Sequence, residues 1–246
     1  MSRTARIRLL TITAVWLAWE VLARSGLVFK GVVPSSLQVI AAMAEQLGHA
    51  PFYDHVLRTG YEVLIGFVIG SASAVVIGTA MGLWPFCVRM LHPYVNIFAP
   101  TPKIVFLPVL MILFGVDVGS KVAMAAISSF FPVVVATFDG AREVPPVLVR
   151  VAQSFRASTA QLALKVYLPS MLPPIVTGMR LGLGVAIIGT LLAEIKLSNK
   201  GLGFLAIQHY EGFHIPDLYA VLLIIFSLAV MANALIGRAA TRFYRR

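Results

Sequence analysis

Long apolar runs separated by short polar intervals organise this chain. Leu9 to Val28, Gly60 to Trp84, about Tyr94 to Phe114, Ser120 to Phe138, Leu172 to Ala193 and Asp217 to Gly237 are dominated by apolar residues. Each approaches the ~20 residues that a helix rising ~1.5 Å per residue needs to cross ~30 Å of hydrocarbon. The pattern predicts an all-α, polytopic membrane protein with six transmembrane helices. One polar interval stands out: Glu143 to Pro169, set between the fourth and fifth spans, is long enough for a pair of amphipathic helices outside the bilayer.

The spans differ among themselves. In the second, Gly66, Gly70, Ala74, Gly78 and Gly82 recur every four residues, and Gly178, Gly182 and Ala186 repeat the pattern in the fifth. Such small-residue stripes let another backbone approach closely and signal helix packing. The third span holds Pro93, Pro100, Pro102 and Pro108, which remove backbone donors and disfavour helix before them. Broken backbone at membrane depth is tolerated where protein or a water-filled cavity surrounds it, so this segment is a candidate wall of a translocation path. Lys103 lies within it, either facing such a path or snorkelling to the interface. Asn96, Thr101, Lys103, Ser128, Ser129, Thr177 and Thr190 are the candidate path residues, although residues of this kind more often pack or bond to backbone than contact a ligand.

Composition agrees with the pattern. Of 246 residues, 59% are hydrophobic and 12% charged, too few polar residues to cover a water-soluble globule of this size. The formal net charge of +10 is scattered at the ends of apolar segments, which argues for membrane topology over nucleic acid. A single cysteine, Cys87, excludes an intrachain disulfide and a CxxC metal pair. Arg3, Arg6 and Arg8 before Leu9 resemble a signal peptide, but the apolar run spans a membrane and no small-x-small cleavage site follows, so a retained first helix is expected. Near its end Glu20 and Arg24 lie four apart, poised to pair.

Lysine and arginine also orient the spans. Twelve fall on the side of the termini: three in the N-terminal tail, Arg89, four in the interval (Arg142, Arg150, Arg156, Lys165) and four in the C-terminal tail (Arg238, Arg242, Arg245, Arg246). Six fall on the other side, namely Arg24, Lys30, Arg58, Lys121, Lys196 and Lys200. The positive-inside rule then places both termini and the interval in the cytoplasm of a bacterial-type inner membrane. Residues 1–58 read as a tail, first span and external segment, and 59–246 as a core domain with helices at about 143–169.

Within the interval, Pro145 and Pro146 suit a first helical turn. Leu148, Val151, Ala152 and Phe155 follow at i, i+3, i+4 and i+7 as one apolar face, with Arg150 and Gln153 pointing elsewhere. Ser158 with Gln161 forms a capping box for a second helix carrying Leu162, Val166 and Tyr167 before Pro169, and the turn falls at Arg156 and Ala157. Periodicity alone fits two roles, a pair lying on the bilayer interface or a docking element.

The order of residues extends this reading. VAQSFRAS at 151–158, Leu168-Pro169, Pro173 followed by GMRLGLG at 178–184, Ala193-Glu194 and GLGFL at 201–205 resemble the permease subunits of ATP-binding-cassette importers. The resemblance is to the EAA-loop family, and within it to the nitrate, sulfonate, taurine and bicarbonate branch. It continues upstream through Trp19-Glu20, Pro34-Ser35, Arg58-Thr59, Gly66-Phe67, Leu107-Pro108, Phe114-Gly115 and Phe131-Pro132. It implies a type I importer fold and a coupling helix, at Leu148, Arg150, Val151, Ala152, Gln153, Phe155, Arg156, Ala157 and Ser158, that sits in a groove of a separate ATPase. The family's Glu-Ala-Ala-x-x-x-Gly falls on Arg150 to Arg156, so Arg150 reverses a charge and Arg156 stands where the family has glycine. A left-handed turn at Arg156 would cost about 1 kcal/mol.

A chain lacking a GxxxxGK[ST] loop leaves nucleotide binding to another polypeptide. The expected assembly is two permease copies in the bilayer, two ATPase subunits holding ATP and magnesium, and an extracytoplasmic solute-binding protein, moving a small anion such as sulfonate, taurine or nitrate by alternating access. This chain itself is expected to hold no cofactor or metal and no catalytic residue. The alternative is a self-contained secondary transporter or channel, which would concentrate ionisable residues at mid-membrane, where this chain has chiefly Lys103 and Arg180. An intramembrane enzyme has less support. His49, His55, His92, His209 and His214 show no metal-ligand spacing, and His209 and His214 are five apart, off a common helical face. Ser128 and Ser129 suit hydrogen bonds within their span, and Glu194, closing the fifth span, is expected to meet a partner or water.

Overall fold

The computed structural model describes residues 3–26 and 31–244, and among them the chain is helical without strands. Leu27 and Val28 of the expected first span, and Lys30, Arg245 and Arg246 of the charge count, lie outside the described residues. Among the described residues eleven α-helices follow in order: α1 Arg3–Ser25, α2 Ser36–Gly48, α3 Ala50–Leu83, α4 Pro85–Phe98, α5 Leu107–Phe114, α6 Val118–Arg142, α7 Pro146–Ser154, α8 Thr159–Leu162, α9 Leu168–Leu197, α10 Leu202–Glu211 and α11 Ile215–Tyr244.

By length and apolarity α3, α6, α9 with α8 ahead of it, and α11 can each cross a membrane, and α4 with Lys103–Phe114 adds a fifth crossing if that bent pair is one span. Helix α1 is 23 residues long, enough to span by length, although Glu20 and Arg24 interrupt its apolar run.

Helix α6 is the centre of the molecule, packed between α3 on one side and α9 on the other, and Met124, Ala125, Val133 and Val134 are wholly buried there. In lipid there is little hydrophobic gain from hiding one apolar helix behind another, so association rests on close contact. The glycine stripes supply it. A Cβ on Gly66 would run into Ala125 and the Val122 carbonyl, one on Gly70 into the Ala126 carbonyl, and one on Gly82 into Ala141. On Gly78 it would stand 2.7 Å from Thr137 Cβ, and on Gly178 2.6 Å from Ala136 Cβ. Gly182 meets Val133 the same way, so all six packing glycines seat α3 or α9 on α6.

The proline-rich third span is broken, with a 100° bend between α4 and Lys103–Phe114. Its loose carbonyls are collected by Lys103, whose Nζ donates to Phe98 O at 2.8 Å, Ala99 O at 2.9 Å and Thr101 O at 2.6 Å while lying 4.7 Å over the Phe131 ring. Thr101 Oγ1 adds a bond to Ile97 O. Lys103 thus folds back on its own segment, and an ammonium meets the carbonyl end of a broken helix as the helix dipole favours.

The expected second helix of the polar interval does not stop at Pro169. Its short α8 passes through a π turn, Ala163–Tyr167, directly into α9. Pro169 follows directly on that π turn, in which Leu168 N reaches five residues back to Ala163 O, and the wider turn is where the helix takes up the proline's missing donor.

Candidate functional site

Two constructed regions stand at opposite ends of the α3–α6–α9 bundle. The first is the elbow between α6 and α9. Pro146 opens α7 at its first position, and α7 ends in a left-handed turn in which Ala157 N donates to Ala152 O at 3.0 Å and Arg156 N to Gln153 O at 2.9 Å. That pair of bonds is the Schellman arrangement, which favours glycine at the residue occupied here by Arg156, with φ 55°. The expected left-handed turn is present, and its backbone cost stands. Ser158 Oγ then accepts from Gln161 N at 3.3 Å, and Ser158 N donates to Gln161 Oε1 at 2.8 Å, completing the capping box.

The elbow is apolar on two sides. Val144 and Val149 turn inward with Ala141, Met171 and Ile175, fixing α7 against the bundle. The sequence-predicted face turns outward: Leu148 and Val151 are exposed, Ala152 is half-buried, and Phe155 is 82% exposed. Arg150, Gln153, Arg156 and Ser158 are exposed around it, with Ala157 half-buried. Leu148, Val151 and Phe155 thus form an exposed apolar face beside the cations Arg150 and Arg156.

The second region was not visible as a unit in the sequence. Glu194, expected to meet a partner or water, is instead fully buried. Its Oε1 accepts from Thr59 Oγ1 at 2.6 Å and its Oε2 from Gly203 N at 2.7 Å, while Thr59 Oγ1 accepts from Leu202 N at 2.8 Å. One carboxyl therefore ties the end of α9, the start of α10 and α3 together. Gly201 has φ 107°, and a Cβ on it would fall into the Glu194 carboxyl group, so glycine is required twice over at that turn. Beside this knot Arg58 bridges Glu62, whose Oε1 is 2.8 Å from Nε, and Asp117, joining α3 to the start of α6. The dipeptides Arg58-Thr59, Ala193-Glu194 and the glycines of GLGFL carried the signal, but only folding brings them into contact.

A third polar corner joins α2, α10 and α11. Gln46 Nε2 lies 3.1 Å from His209 Nε2 and donates to Asp217 Oδ1 at 3.3 Å. The rings of His209 and His214 stand edge-on 6.2 Å apart. Their five-residue spacing excludes a shared helical face, yet α10 ends at Glu211 and the chain folds back, so the rings meet after all. Burial pushes the His209 imidazole below the usual histidine value, with Asp217 opposing it and His214 and His55 reinforcing it.

The candidate path residues do not gather in one place. Ser128 and Thr190 are buried at the α6–α9 contact, Ser129 is buried with its Oγ turned to Gly70 of α3, Asn96 and Thr177 are exposed, and Thr101 and Lys103 sit at the bend. Ser129 Oγ bonds within its helix to Ala126 O, and Thr177 Oγ1 to Pro173 O. Arg180 Nε donates to Asn233 Oδ1 at 2.8 Å, tying α9 to α11.

Apolar helices of spanning length, a proline-broken segment and an exposed amphipathic elbow define a polytopic membrane permease. Residues 66–246 match the family described as the binding-protein-dependent transport system inner membrane component, and the chain belongs to it. It is 30% identical over 83% of its length, and 76% of the relative's, to the taurine transport system permease protein TauC of Escherichia coli strain K12. It is 28% identical over 96% of its length, and 83% of the relative's, to the putative aliphatic sulfonates transport permease protein SsuC of Bacillus subtilis strain 168. Formylaminopyrimidine transport permease protein ThiX of Halalkalibacterium halodurans is also 28% identical, over 89% of this chain and 87% of the relative's. Among solved structures, the inward-facing MetNI methionine ABC transporter matches in fold, with a TM-score of 0.65 at 20% identity over 82% of this chain and 97% of that one. The self-contained carrier is thereby set aside in favour of a permease subunit of an ATP-driven importer.

Proposed function

We propose that this permease moves small organic anions of the sulfonate type, as a symmetric pair served by two separate ATPases that bind ATP and magnesium and by an extracytoplasmic solute-binding protein. The single observation that carries the coupling part is the fixed α7 helix with Phe155 standing 82% exposed beside Val151 and Leu148. Closure of the ATPases pulls the two α7 elbows together, and because Val144 and Val149 anchor each elbow to α6 and α9, the bundles rock with them. The termini and α7 lie in the cytoplasm, a placement supported by the excess of lysine and arginine on that side. The relatives named for taurine and sulfonates support the solute class.

Co-purification and uptake test the reading together. The native complex is expected to retain an ATPase in detergent, and Phe155→Asp to abolish ATP-dependent uptake of organosulfonates while leaving the permease folded. An ATPase-free complex, or full uptake in that variant, sinks the coupling proposal; uptake of other solutes alone sinks the solute class.

A further inference from the structure

Next to the Glu194 knot a cavity of about 520 Å³ opens between the start of α3, the start of α6 and the turn after α9. Its charged lining is three cations, Arg58, Lys121 and Lys200, against one carboxylate, Asp117. Lys121 forms part of the floor, with its side chain 1% exposed and its Nζ donating to the Val116 carbonyl. Lys200 stands exposed at the rim, on a turn fixed by Ser198, whose Oγ donates to Lys200 O at 2.6 Å. The other carboxylates nearby do not line the cavity. Glu62 is fully buried against Arg58 Nε, and Glu194 is fully buried on Thr59 and Gly203.

Arg58 is therefore divided in two. Its Nε edge is held by a fully buried partner, and its NH2 end is held by Asp117, whose side chain is 73% exposed. An ion pair with so exposed a member contributes little to stability and is readily exchanged. A guanidinium fixed along one edge offers the rest of its donor fork to an oxyanion, which it binds in a planar, paired geometry. Lys200, exposed at the rim, raises the local concentration of anions at the mouth, while the charge of the buried Lys121 is shared with Glu62, Asp117 and Glu194 around it.

We propose that this cavity is a receiving site for the anionic group of the transported solute, in which a sulfonate or carboxylate displaces Asp117 from Arg58 and is held between Arg58, Lys121 and Lys200. The site rests on the anionic-solute reading above and on the orientation that puts this end of the bundle outside. Asp117 acts as an internal placeholder: it keeps Arg58 in position while the site is empty and is pushed into water when the solute arrives.

Trifluoromethanesulfonate, followed by fluorine NMR against the full-length permease in phosphatidylcholine nanodiscs, is the probe. Saturable binding is expected, with affinity at least fivefold weaker in Lys200→Gln and several-fold stronger in Asp117→Asn, whose amide no longer competes for Arg58; tetramethylammonium is expected not to bind. Both variants change exposed side chains and keep the protein folded, whereas Arg58→Gln also strips Glu62 of its partner. Equal affinity in wild type, Lys200→Gln and Asp117→Asn overturns the site. Replacing phosphatidylcholine by phosphatidylglycerol at high salt, where surface repulsion of the probe is screened, is expected to leave binding intact; loss of binding there that Lys200→Gln no longer shows identifies a lipid headgroup as the occupant and overturns the site too. Organosulfonate uptake by the assembled transporter separates the two proposals: uptake with no binding at the cavity defeats this one alone, and absence of any anion uptake defeats the solute class and this assignment with it.

Discussion

At one end of the bundle Glu194 vanishes completely into a knot of hydrogen bonds, while at the other Phe155 stands 82% exposed on a short helix. A carboxyl group is hidden where water would solvate it, and a phenyl ring is displayed where water gains nothing from it. Both placements run against solvent preference. The first is stabilised within the chain, because Thr59 and Gly203 supply the donors that a buried carboxyl needs. The second has no such internal compensation and therefore points outside the chain. The comparison separates a residue whose needs are met within this chain from one that this chain leaves uncovered.

The largest expected effect is at the knot. Glu194→Ala leaves the Thr59 hydroxyl and the Gly203 amide without their acceptor in a buried site, which costs roughly 3 kcal/mol. Thermal unfolding in detergent should shift down accordingly, and a loss below about 1 kcal/mol would show that water or Glu62 takes over. Next comes Arg156→Gly at the elbow, which relieves the left-handed backbone at φ 55° and should stabilise by about 1 kcal/mol. A destabilised variant would mean that the arginine side chain holds the turn by contacts of its own. Phe155→Asp is expected to change stability by less than about 0.5 kcal/mol, since the ring is exposed, while removing uptake. A large drop in melting temperature there would break the contrast between the two ends.

The smallest effect concerns the corner of α2, α10 and α11. Burial lowers the folded-state value of His209, so the unfolded chain binds its proton first as pH falls below the ordinary histidine value of 6.5. Stability from this group is complete above that pH and declines on acidification towards the lowered folded value. Hydrogen exchange in α10 should quicken between neutral and mildly acidic pH, and His209→Gln should flatten the trend. An unchanged trend in that variant would assign the acid sensitivity elsewhere.

Much of the helix content was legible because spanning a membrane demands long apolar runs, and Leu172 to Ala193 or Ser120 to Phe138 have no soluble reading. The stripe from Gly66 to Gly82 was legible as packing because a close backbone approach requires a missing side chain. The elbow was legible through Ser158-Gln161 and the i, i+3, i+4, i+7 face. Helix boundaries were less so: α3 begins at Ala50, ten residues before the apolar run at Gly60, since polar Asp54, His55 and Arg58 find partners or water at the helix end. The continuity of α8 into α9 was hidden too, because a proline that usually marks a boundary was accommodated by a π turn before it.

By itself, then, the sequence determined that the chain crosses a membrane several times, which residues allow its helices to touch, and which short amphipathic segment leaves the bilayer. Only the tertiary structure decided which polar residues are partners. Thr59, Glu194 and Gly203 are separated by 135 and 9 residues along the chain, and periodicity is blind to such contacts because it reads one helix at a time. Hydrophobic patterning reports a preference for lipid over water, a property of each residue alone. A hydrogen bond between a buried carboxyl and its donors belongs to a pair, and the pair exists only once α3, α9 and α10 have met.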